Sequence, residues 1–215
     1  VAIMAKTRYE WTVLDFAVWY AGAVSVPIYE TSSAEQVEWI LNDSGAVAII
    51  VETPALREVV TPVLTSACKN IWVITDGALD ELTNSGSKIS DSEVETRRNQ
   101  TKPEALATLI YTSGTTGVPK GVMLSHYNIL NNGHDIGECQ KFASDENVCL
   151  PVPLFHCFGI VLGVLAVLTH GATMTITENF DPLVVLASVQ KEKCTALYGV
   201  PTMFIAELNH PMFDM

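Results

Sequence analysis

Apolar positions in the first 75 residues follow two alternating periods. Short runs at 2–4, 24–29, 47–51 and 71–74 are mostly apolar and β-rich, as the strands of a sheet covered by helices are. Between them, 12–23, 34–41 and 55–67 repeat their apolar residues at helical spacing. The resulting β-α-β-α-β-α-β order predicts an α/β fold of parallel-sheet layers with flanking helices. Ser33, followed three residues later by Gln36, reads as a capping box, and Gly45 stands where that helix must stop.

Residues 76–104 interrupt the rhythm. Asp, Glu, Ser, Asn, Lys and Arg dominate there, so the stretch is expected to be a surface excursion or linker between a first half, 1–75, and a second, 105–215. Beyond it the pattern predicts a strand at 106–112, a helix at 127–141, a short strand at 148–150, a helix at 158–168 and a strand at 172–176. A helix opened by Asp181 as N-cap with Pro182 behind it follows, then a strand at 196–198 and a last helix after Pro201.

Composition narrows the function classes. With 48% apolar and 17% charged residues the chain can bury a core, and its net charge of −12 repels phosphate backbones and anionic lipid. No nucleic-acid partner is expected, and a small anion would need a local site. The five cysteines, Cys68, Cys139, Cys149, Cys157 and Cys194, are odd in number and form no C-x-x-C pair, which points away from a disulfide framework or zinc knuckle. The longest apolar stretch, 158–169, is shorter than the ~18 residues a membrane span needs. A cytoplasmic location without a membrane span is expected, with peripheral membrane association left open. The chain begins at Val1 and stops soon after an apparent helix, so it is expected to be part of something longer.

The most informative stretch is Tyr111-Thr112-Ser113-Gly114-Thr115-Thr116-Gly117-Val118-Pro119-Lys120-Gly121, directly after a predicted strand. Its glycines allow tight turns and close backbone approach, its hydroxyls and N–H groups can donate to anionic oxygens, and Lys120 adds a mobile positive charge. Composition alone also allows a plain Ser/Thr/Gly loop. It is not a Walker loop, because the fifth residue after Gly114 is Pro119 rather than a glycine followed by Lys-Ser or Lys-Thr.

The run 111–121 resembles the signature phosphate loop of the AMP-forming acyl-adenylate synthetases. Three further segments agree in order. Pro151-Val152-Pro153-Leu154-Phe155-His156-Cys157-Phe158-Gly159 is similar to the family's second core motif, and Tyr198-Gly199-Val200-Pro201-Thr202 to the turn that follows it. Glu10-Trp11 and the run from Ala21 to Tyr29 resemble the early part of fatty-acyl-CoA ligases. The resemblance implies part of the large N-terminal domain of such an enzyme, in which ATP and a carboxylate form acyl-AMP and pyrophosphate and CoA then takes the acyl group. It implies that Thr112, Ser113, Gly114, Thr115, Thr116 and Gly117 grip the β- and γ-phosphates, with Lys120 as the accompanying charge and Lys120, Thr116 and His156 acting in catalysis. Magnesium is expected to bridge the phosphates. His156 is expected to border the acyl carboxylate, with Phe158, Gly199, Val200 and Pro201 on the acyl side and the 158–168 segment, Gly163 included, lining a tunnel.

The other histidines, His126, His134, His170 and His210, have no metal-ligand spacing with one another or with a cysteine, and no protein-held metal is expected. The family's later motifs, for adenine, ribose and a distal lysine, do not follow Thr202, so the fragment by itself is expected to be inactive. A non-catalytic module of the same fold and an amino-acid-activating adenylation domain are the alternative readings, and the acyl chain length is not assigned.

Overall fold

Strand β1 (Ala2–Met4) is wholly buried at the centre of a parallel sheet ordered β2-β1-β3-β4, in which β2 is Val26–Ile28, β3 Ala48–Val51 and β4 Asn70–Val73. The computed structural model describes residues 1–112 and 119–213. The crossovers are α1 (Tyr9–Tyr20), α2 (Ala34–Ser44) and α3 (Pro54–Val60). As the sequence predicts, α2 opens with a capping box: the Gln36 N–H donates to Ser33 Oγ, and the Ser33 N–H donates to Gln36 Oε1 at 2.9 Å. It closes on Gly45 in the left-handed region, φ 62°. Helix α3 ends at Val60, earlier than its apolar spacing suggests, and tightens into a 3₁₀ turn over Thr61–Val63. Pro62 is the cause, since it donates no N–H and its ring collides with the preceding turn.

The polar stretch 76–104 is surface structure, but helical: α4 (Ala78–Gly86) and α5 (Asp91–Gln100). Helix α5 buries no residue, so its pattern carries no apolar stripe. Local contacts hold it instead, the Ser90 cap on the Glu93 N–H and the Glu93–Arg97 ion pair at 3.1 Å. Such a pair contributes about 0.3–0.5 kcal/mol.

Next comes an antiparallel hairpin of β5 (Leu106–Thr112) and β6 (Lys120–Ser125), a departure from the expected parallel layers. Strand β6 has no apolar alternation to reveal it, and Val122 and Met123 are exposed. Strand β5 bonds to Ser25, just before β2: the Ser25 N–H donates to Ala107 O at 3.0 Å, and the Leu109 N–H donates to Ser25 O at 2.9 Å. Packing therefore groups the chain otherwise than as halves 1–75 and 105–215. The first unit is Val1–Lys6 with Glu10–Tyr127, which includes the polar helices and the hairpin; the second is Thr7–Tyr9 with Asn128–Met215.

In the second unit β7 (Asn147–Leu150) lies between β8 (Thr173–Ile176) and β9 (Ala196–Leu197), both parallel to it. Helix α6 (His126–Gln140) leads into it, and α8 (Pro182–Glu192) begins as predicted, with Asp181 Oδ1 accepting the Val184 N–H at 3.0 Å. The expected helix at 158–168 is wound in π-helical turns over Phe158–Leu165 and ends as α7 (Ala166–Thr169). Helix α9 (Pro201–Leu208) is the last. Gly163, expected to line a tunnel, is buried in this unit, and a Cβ there would lie 3.1 Å from Leu150 Cδ1 of β7.

Asp15, on α1, is 1% exposed, and neither of its oxygens has a hydrogen bond of ordinary geometry. Burial pushes its carboxyl from the ordinary 3.8 up to about 7, against the opposing pull of the Ser25 hydroxyl. The folded chain thus keeps a proton that the unfolded chain has already lost, so stability falls as pH rises from about 4 to about 7 and is level above that. Asp15→Asn is expected to flatten this dependence by an amount on the order of 4 kcal/mol at most, read by urea unfolding at about pH 5 and about pH 8. An undiminished pH slope would overturn the assignment. Gly163→Leu is expected to destabilise by about 1–3 kcal/mol through overpacking, read as a lowered urea midpoint.

Candidate functional site

The hairpin β5–β6 brings two of the expected phosphate-loop residues together. Thr112 ends β5, Lys120 begins β6, and the two are direct partners in the ladder with both side chains exposed. Ser113, Gly114, Thr115, Thr116 and Gly117 lie outside the described residues. What is described is how the two ends of the loop are held.

Helix α2 holds them. On the outgoing side the Trp39 indole N–H donates to Pro119 O at 3.1 Å, and on the incoming side the Tyr111 hydroxyl donates to Asp43 Oδ2 at 2.6 Å. Burial, and then Asp43, holds the Tyr111 phenol far above its ordinary range, so it stays a donor. The Tyr111 ring lies over the hairpin backbone at Gly121, where a Cβ would come within 3.1 Å of it. Beside the strand ends is a cavity of about 360 Å³ lined by Tyr29, Thr31, Ser32, Gln36, Tyr111 and Thr112 among others. Its polar lining is hydroxyl and amide, and with the Lys120 ammonium at the hairpin mouth it offers donors to an anionic group.

Sequence reasoning missed Trp39 and Asp43. They stand one turn apart on a helix whose Val37, Ile40 and Leu41 are buried, and both point outward. An exposed tryptophan four residues before an aspartate on the polar face is the available signal, but its partners lie 80 and 68 residues further on.

In the second unit His156 is half-buried, and its Nδ1 accepts the Phe158 N–H at 3.1 Å. That bond leaves Nε2 to carry the proton of the neutral ring. The turn is tight because Gly159 admits it: a Cβ there would stand 2.2 Å from Pro153 O. Phe158 stacks on Tyr198 with ring centroids 5.7 Å apart, and the Tyr198 hydroxyl accepts from Gln140 Nε2 at 2.8 Å. Gly199, Val200 and Pro201 follow Tyr198 directly, so Phe158 and this turn meet through the tyrosine ring. Thr112 and Lys120 belong to the first unit, and His156, Phe158, Gly199, Val200 and Pro201 to the second.

A family model described as "AMP-binding enzyme" matches residues 1–215. A Bacillus subtilis protein described as "Putative acyl-CoA synthetase YngI" is 41% identical over 239 residues, covering 100% of this chain and 44% of that protein. The long-chain-fatty-acid–CoA ligase FadD15 of Mycobacterium bovis is 36% identical over 214 residues, covering 95% of this chain and 35% of its own length. Among solved structures, ATP-bound MatB of Rhodopseudomonas palustris matches with a TM-score of 0.83 at 25% identity over 98% of this chain and 41% of that one. The N-terminal domain of FACL13 of Mycobacterium tuberculosis shares the fold, with a TM-score of 0.75 at 21% identity over 100% of this chain and 52% of that one. The chain thus spans less than half the length of these two curated relatives, and it belongs to the AMP-binding enzyme family.

Proposed function

We propose that the whole protein is an ATP-dependent, AMP-forming acyl-CoA ligase acting on a fatty acid, and that this chain supplies its phosphate grip. The observation that carries the reading is the pairing of Thr112 with Lys120 at the mouth of the β5–β6 hairpin, which sets an exposed hydroxyl and an exposed ammonium at the two ends of the loop 113–118. The acyl-CoA ligases among the relatives support it.

In this reading ATP and the fatty acid give acyl-AMP and pyrophosphate, and the CoA thiol then displaces AMP. Attack at the α-phosphorus builds negative charge on phosphate oxygens and on departing pyrophosphate. Donors already in place lower that barrier, and anchorage of both loop ends by α2 removes part of the cost of ordering them. Thr112, Ser113, Gly114, Thr115, Thr116 and Gly117 grip the β- and γ-phosphates, and Lys120 offsets the charge that develops there. Among the described residues no carboxylate lines the cavity beside the strand ends, and Asp43 accepts from Tyr111, so magnesium would be held chiefly through the phosphates themselves. His156, its Nε2–H free to donate, borders the fatty-acid carboxylate, with Phe158 and the Gly199-Val200-Pro201 turn beside it. Adenine, ribose and CoA contacts belong to the remainder of the protein. All five cysteines are free thiols, which supports a reducing, cytoplasmic setting.

In the whole protein, Lys120→Ala is expected to slow fatty-acid-dependent ATP–pyrophosphate exchange by about 10²–10³-fold, the loss typical of one donor aimed at developing charge. The melting temperature should hold, because Lys120 is exposed. Unchanged exchange, or a collapsed fold, would overturn its role. The 215-residue chain alone is expected to release no pyrophosphate with ATP and fatty acid, since it covers 35–44% of the two ligase relatives' length. Release at the whole protein's rate would show that these residues suffice.

A further inference from the structure

His134 and Glu138 stand one turn apart on α6, and His170 follows α7. Their candidate ligand atoms all lie within 4.8 Å of one another. His170 is the seated member, its side chain 10% exposed against 53% for His134. Its Nδ1 lies 3.0 Å from Ala166 O and 3.1 Å from Thr169 Oγ1, and in the tautomer that donates Nδ1–H to the carbonyl, Nε2 presents a lone pair. That lone pair meets Glu138 Oε1 at 3.4 Å. Two acceptors then converge there, an arrangement that a cation between them satisfies, and His134 Nε2, 4.0 Å from the same carboxylate oxygen, offers a third lone pair. Gly137 clears the seat: a Cβ at that position would fall 2.3 Å from the His170 ring.

We propose that His134, Glu138 and His170 form a binding site for one divalent transition-metal ion, with zinc the best match. Two imidazoles and one carboxylate suit zinc better than magnesium or calcium, which prefer all-oxygen sets. Bonds of about 2.0–2.1 Å at tetrahedral angles put neighbouring donors about 3.3 Å apart, so the 3.4 and 4.0 Å separations close with small side-chain rotations. Ala166 O already orients one imidazole from behind, as carbonyls do for metal-bound histidines, and Asp135 Oδ1 stands 3.8 Å from Nδ1 of the other. A water completes the fourth position. The ion would tie α6 to the segment after α7. Sequence spacing concealed the set because His170 lies 32 residues beyond Glu138.

The test is a zinc titration of the metal-free, tag-free full chain in competition with a chromophoric chelator. One zinc per chain is expected, bound with at least micromolar affinity and accompanied by a rise in melting temperature. His134→Gln and Glu138→Gln, both at exposed positions, should each weaken binding about tenfold or more while leaving the far-UV circular dichroism unchanged. Alkylation of the accessible thiols should leave binding intact, and cobalt(II) in place of zinc should give d–d bands without thiolate charge transfer. Absence of binding up to about 100 μM zinc, equal affinity in the His134 and Glu138 variants, or loss of binding on alkylation would each overturn the proposal.

Discussion

The carbonyl of Ala107 accepts two hydrogen bonds, each 3.0 Å long, one from the Ser25 backbone and one from the Trp19 indole. Both donors come from the parallel-sheet layer: Trp19 lies on α1, and Ser25 immediately precedes β2. The two bonds, with the return bond from Leu109 to Ser25, fix where β5 begins against that layer. Everything the first unit offers for chemistry hangs from this seam, because β5 runs from it to Thr112 and β6 returns from Lys120. A buried carbonyl with both lone pairs used is costly to leave unpaired, which makes the seam a stiff attachment for a polar hairpin.

From that attachment outward β5 passes from buried to exposed within a few residues. Strand β1 has no exposed member, Tyr111 is still buried, and Thr112 is exposed. Tyr111 makes the transition possible. Its ring belongs to the apolar core with Val37, Ile40 and Leu41 of α2, while its hydroxyl reaches Asp43 at the surface. Helix α2 therefore serves twice, covering the sheet with one face and holding both ends of the loop with the other.

The second unit solves a different problem, that of bringing helical backbone close to neighbouring chain. A Cβ at Gly159 would meet Pro153 O, and one at Gly137 the His170 ring, at distances real Cβ atoms do not show, while one at Gly163 would press on Leu150 at 3.1 Å. These glycines act through the absence of a Cβ. The outcome is a sheet of short parallel strands with a wide π-helical segment packed in its core, and aromatic rings of Phe142, Phe158 and Tyr198 gathered beside it. Burial in β7 pushes the Cys149 thiol up to about 12, which keeps it protonated within that core.

Local chemistry was legible in the sequence where a cap or stop signal adjoined an apolar run of the right period. Ser33 with Gln36, Gly45, and Asp181 with Pro182 act on backbone a few residues away, and the helices they bound stand where the pattern put them. The strand at 106–112 and the family motif after it were legible because a run of adjacent residues carries each. Elements whose apolar period is missing or misleading were not legible. Strand β6 exists because β5 pairs with it, α5 because caps and ion pairs replace an apolar stripe, and α3 stops early because Pro62 overrides its spacing. The anchors Trp39 and Asp43 and the cluster His134, Glu138 and His170 were decided by tertiary structure alone. A residue type and its spacing record what a side chain can do, but which distant backbone or ring it meets depends on how the sheets and helices pack.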